Sequence, residues 1–81
     1  MMFRYKERVL DALIRHGISP REDTPPELVR DFINDLYVYE IRLLRKQMRS
    51  GQIPKQEYAG CVIELRKRYP LLSLPIEYWT D

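Results

Sequence analysis

The sequence contains one cysteine, Cys61, and one histidine, His16. A lone cysteine excludes an internal disulfide, so nothing covalent staples the fold and the chain reads as cytoplasmic. With one histidine and no cluster of ligand residues at recognisable spacing, neither a metal nor any other cofactor is expected. Glycine is scarce: Gly17, Gly51 and Gly60 are too few and too scattered to build a phosphate-cradling loop. No stretch approaches the roughly 18 apolar residues of a membrane span. The N-terminal MMFRYKERVLDALIRHG carries charges throughout and so lacks the uninterrupted core of a secretory signal. An excess of one charge is missing too, since 14 basic and 12 acidic side chains leave a net charge of +2. That balance does not by itself imply a nucleic-acid or anionic-membrane partner.

What is present is an 81-residue chain, 44% hydrophobic and 32% charged. This is the balance of one folded domain, near the lower size at which a chain can bury its own core. Periodicity predicts an all-α domain of three helices over residues 3–16, 25–49 and 54–68, with an apolar tail over 70–81. In the first helix Phe3, Val9, Leu10, Leu13 and Ile14 recur at helical spacing. Gly17 follows as a left-handed C-terminal stop, with Ile18 placed to fold back on the last turn. Thr24-Pro25-Pro26-Glu27 reads as a capping box, with Thr24 as N-cap, Pro25 at the first helical position and Glu27 at the third. No glycine or proline then intervenes until Gly51. The resulting helix, roughly 38 Å long at ~1.5 Å per residue, exceeds the roughly 30 Å width of a compact domain of this size. Gly51-Gln52-Ile53 is a short turn that forces the third helix back against the second. Pro70 and Pro75 stop regular helix.

Around the second helix, Leu28, Val29, Phe32, Ile33, Leu36, Tyr37, Tyr39, Ile41, Leu43, Leu44 and Met48 cover an apolar arc of roughly 220° at ~100° per residue. One neighbouring helix cannot cover that arc. The other helices, the tail and a second copy of the chain are candidates to share it. Glu40 falls within the arc and needs a partner if buried. An antiparallel third helix brings Arg66 to its height, and the hydroxyls of Tyr37, Tyr39 and Tyr58 are further donors.

The opposite stripe reads Glu27, Asp31, Asp35, Val38, Arg42, Arg45, Arg49. Acids at the start and bases at the end suit the helix dipole. The same stripe is also self-complementary: laid antiparallel on itself about Val38, it sets Glu27 against Arg49 and Asp31 against Arg45. That is what a twofold homodimer interface requires. Arg42, Arg45, Lys46 and Arg49, with Arg66, Lys67 and Arg68, make two basic clusters that could grip the phosphates of a nucleic acid or form an ordinary solvated face.

Nothing in the pattern makes an enzyme. His16 sits at a helix end, Cys61 on an apolar stripe, and Glu40 has no second acid or nucleophile beside it. The tail holds Leu71, Leu72, Leu74, Ile76, Tyr78 and Trp79, so Trp79 is expected to pack on the domain with its indole N–H on a polar partner; the rival is a loose tail that offers it as an anchor to another protein. The segment LLRKQMRSGQIPKQEYAGCVIELR (43–66), with Gly51-x-Ile53, Glu57-Tyr58 and Leu65, resembles the SHOCT type of short helical hairpin. It departs at Pro54, where the family has Thr, and at Val62, where it has Lys. The resemblance implies a small interaction or oligomerisation module without catalytic residues. The reading that emerges is a non-enzymatic interaction module binding protein partners, a homodimer, off the membrane. The alternative is a nucleic-acid-binding adaptor.

Overall fold

In the computed structural model, which describes all 81 residues, the chain forms helices α1 (Glu7–Ile14), α2 (Pro26–Arg49) and α3 (Tyr58–Lys67). Three short 3-10 turns, Lys55–Glu57, Pro70–Ser73 and Ile76–Tyr78, complete the regular structure. The fold is all-α, as the periodicity predicts, and the sole extended pairing is an isolated antiparallel bridge between Tyr5 and Thr80.

Both glycine stops lie where the sequence puts them. Gly17 has φ 75° and Gly51 φ 83°, a left-handed conformation that costs glycine nothing. Past Gly51 the Gln52 N–H donates to the Gln47 carbonyl (2.9 Å) and the Gly51 N–H to Met48 (3.1 Å), the paired bonds of a Schellman ending. Past Gly17 the Ile18 N–H likewise reaches back to Leu13 (3.1 Å), and Ile18 packs against the core.

The helix starts differ from the sequence reading. The cap of α2 is Pro25, in extended backbone (φ −64°, ψ 136°), with no side-chain cap bond, and Pro26 takes the first helical position. A residue before proline is pushed out of the helical region, so Pro26 forbids Pro25 from joining the helix. Thr24 is displaced from the cap. Its hydroxyl instead accepts from the Arg21 N–H (3.0 Å), closing the loop Arg21–Thr24. Helix α1 begins at Glu7 rather than Phe3, because residues 3–6 are claimed by long-range backbone bonds. Phe3 N–H donates to Glu22 (2.6 Å), Lys6 N–H to Trp79 (3.0 Å) and Asp81 N–H to Arg4 (2.9 Å). Likewise Pro54, expected inside the third helix, stands before the Lys55–Glu57 turn.

The core consists of Tyr5, Val9, Leu13, Val29, Ile33, Leu65, Tyr69, Leu71 and Trp79. Every buried residue from α2 comes from its first half: Pro26, Val29 and Ile33. Trp79 is fully buried, and its indole N–H donates to the Leu74 carbonyl (3.2 Å), so the tail closes the body of the domain. The molecule measures 48 × 18 × 15 Å. Helices with their side chains are ~10–12 Å thick, so this cross-section holds about two of them side by side. The apolar arc of α2 is therefore wider than the fold can cover.

Candidate functional site

Four large apolar side chains of α2 face solvent: Leu28 (62% exposed), Phe32 (55%), Tyr39 (65%) and Leu43 (44%). At ~100° per residue they fall within about 60° of one another around the helix, with Leu36 on their flank. The steps from Leu28 to Phe32, Leu36, Tyr39 and Leu43 are four, four, three and four residues, an average near the ~3.6-residue turn of a straight helix that keeps all five on one side. From Leu28 to Leu43 the stripe runs about 22 Å at ~1.5 Å per residue. The sequence reading counted these residues in the arc but did not separate them from the inward Val29 and Ile33. The separating signal is angular: Val29 and Ile33 lie about 70–110° around the helix from the centre of the exposed set, at ~100° per residue.

One flank of this stripe is charged. Glu27, Asp31, Asp35, Arg42, Arg45 and Arg49 are exposed and Val38 half-buried. None of the six charged groups has an ion-pair partner, since the sole salt bridge in the molecule joins Lys67 to Glu64 (3.1 Å). The other flank is a groove of ≈ 520 Å³ between the loop after α1 and the start of α2. Ile18 and Pro20 form one wall, Leu28, Phe32 and Leu36 the other. The site is thus a ridge of apolar side chains with a polarised charged edge on one side and a partly apolar trough on the other.

Glu40 does not pair with Arg66. The carboxylate is half-buried and accepts a hydrogen bond from the Tyr69 hydroxyl, while Arg66 is exposed. On α3 Leu65 points inward, followed past the helix end by the buried Tyr69, whereas Arg66 lies ~100° around from Leu65. Turning its guanidinium inward would also forfeit hydration. Burial and the Glu40 carboxylate push the Tyr69 phenol up to about 12, with nearby Arg68 opposing. The ring of His16 stacks on Tyr69 (centroids 4.4 Å apart) and its Nε2 bonds the Arg68 carbonyl (2.8 Å). This histidine serves the end of α3 rather than that of its own helix. Tyr37 meets Tyr69 edge-on at 5.3 Å. The group locks the C-terminal ends of α1 and α3 against the middle of α2.

The cleft over that junction, ≈ 380 Å³, is lined by Arg15, His16, Glu40, Lys67 and Arg68 together with Ala12 and Pro70. Its bases answer the carbonyl ends of two helices. Cys61 lies seven positions before Arg68, about 10 Å along α3 at ~1.5 Å per residue, so it does not form a nucleophile–base pair with His16. No three His, Cys, Asp or Glu side chains converge. No helix is long and apolar enough to cross a membrane.

The two basic clusters sit apart. Lys67 and Arg68 lie beside Glu40 at the foot of the hairpin. Arg45, Lys46 and Arg49 are five to nine positions farther along α2, about 8–14 Å away at ~1.5 Å per residue, and Arg42, though only two positions from Glu40, lies ~160° around the helix from it. Trp79, considered above as an exposed anchor, is core and offers no surface. Comparison with family models, curated proteins and solved structures finds no match to this chain.

Proposed function

We propose that this chain is a non-enzymatic helical interaction module that assembles as an antiparallel homodimer through α2 and serves protein partners. The observation that carries the reading is the exposed Leu28–Phe32–Tyr39–Leu43 stripe beside a charge-polarised flank. Contiguous exposed apolar surface of this kind marks an interaction site. The charged flank selects the orientation. In an antiparallel twofold pair each flank meets itself reversed, so Asp31 and Asp35 of one copy face Arg42 and Arg45 of the other. In a parallel pair the charged flank of one copy would instead face the groove side of the other, leaving its charges unpaired. The hairpin's resemblance to SHOCT-type modules points the same way. The alternative, a nucleic-acid adaptor, draws less support from basic side chains spread along and around the hairpin.

The reading is tested by charge reversal. Arg45→Glu is expected to weaken self-association, and Asp31→Arg added to it to restore much of the loss, followed by sedimentation at low salt. Exposed pairs contribute only about 0.2–1 kcal/mol each, so the informative result is the sign of the coupling. A double variant no better than Arg45→Glu would contradict the antiparallel register.

A further inference from the structure

The ≈ 520 Å³ groove beside the stripe lines up with the same twofold, which says what fills it. Resting on the antiparallel dimer proposed above, we infer that the groove of each protomer is occupied by Tyr39 and Leu43 of the other copy. The apolar stripe has its midpoint between Asp35 and Leu36, and the charged flank has its midpoint at Val38. These centres differ by about 4 Å along the helix, which shifts the antiparallel pairing by about 7.5 Å at ~1.5 Å per residue; an axis midway between them leaves each set within about 4 Å of its own register, less than one turn. With the axis between them, Tyr39 of one copy lands opposite residues 32–37 of the other, and Leu43 opposite residues 28–33. The groove presents Phe32 and Leu36, then Leu28 and Val29, at those heights.

The occupant is therefore a second copy, chosen by charge and by shape together. Tyr39 and Leu43 are exposed, four residues apart, and so adjacent on one helix face. The trough they meet has an aliphatic wall in Ile18 and Pro20, with Ser19 and Thr24 among its polar residues. That lining suits an aromatic ring carrying one hydroxyl. The positive φ of Gly17 and the fold-back of Ile18 shape that wall, so the α1 ending has a second consequence beyond stopping the helix.

A photoreactive benzoylphenylalanine placed at position 39 of the full chain tests the inference, because it keeps an aromatic group at an exposed site. After irradiation, the covalent dimer is isolated on a denaturing gel and its adducts are mapped by mass spectrometry. Adducts on the Gly17–Arg21 loop or on Leu28, Phe32 and Leu36 are expected. A dimer in sedimentation whose adducts fall elsewhere, or which gives none, would overturn the groove assignment and leave the dimer standing. A variant and wild type that both sediment as monomers would overturn the assignment together with the dimer on which it rests.

Discussion

Tyr69 gathers the largest set of specific interactions in the domain. Its ring is core, its hydroxyl donates to Glu40, and His16 and Tyr37 pack on its faces and edge. Glu40→Ala removes the acceptor and leaves the Tyr69 hydroxyl without a partner, at a cost of about 1–3 kcal/mol. Glu40→Gln keeps an acceptor and should cost less, and chemical denaturation of the two variants separates these outcomes. The raised phenol gives a pH signature. Below its ordinary value of 10.0 Tyr69 is neutral in both folded and unfolded chains, and its contribution is fully present. As pH climbs toward about 12 the unfolded chain ionises first, and that contribution is lost. Tyr69→Phe should therefore be less stable than wild type at pH 8, with the gap narrowing between pH 10 and about 12. A gap that widened with pH would contradict the assignment of the bond to a neutral phenol.

The helices themselves were largely legible, and the reason lies in their ends. Gly17 and Gly51 announce left-handed stops, and both adopt them. A side chain at either position would meet open space, so the cost of substitution is purely conformational. Gly51→Ala should cost about 1 kcal/mol and lower the melting temperature by about 4–8 °C. A melt unchanged by that substitution would mean the Schellman ending contributes little. The helix starts were less legible. Thr24 looked like a cap, but consecutive prolines move the start by one residue, a steric effect that outranks side-chain capping preference. Residues 3–6 carry a helical pattern yet run extended, because their N–H groups and carbonyls find the tail and the Glu22 loop. No local signal reports such distant partners. The partner of Glu40 was missed for a related reason: matching heights along two helices ignores which residues point inward.

At the scale of the molecule, the tail and the stripe divide the apolar surface between folding and recognition. Trp79 closes the body, where Lys6 and Trp79 also share a backbone bond (3.0 Å). Trp79→Ala should cost about 3–5 kcal/mol, comparable to the whole stability of so small a domain, so the variant is expected to be largely unfolded by circular dichroism. A folded variant would move Trp79 out of the core account. The stripe is the converse case, since Leu28, Phe32, Tyr39 and Leu43 contribute surface that the monomer does not bury. The measurement that tests the central claim most directly is sedimentation equilibrium of the wild-type chain beside Phe32→Asp, with helicity followed in both. Wild type is expected at twice the 9.8 kDa chain mass, and Phe32→Asp as a folded monomer of unchanged helicity. A wild-type chain that remains at 9.8 kDa into the high micromolar range would contradict it.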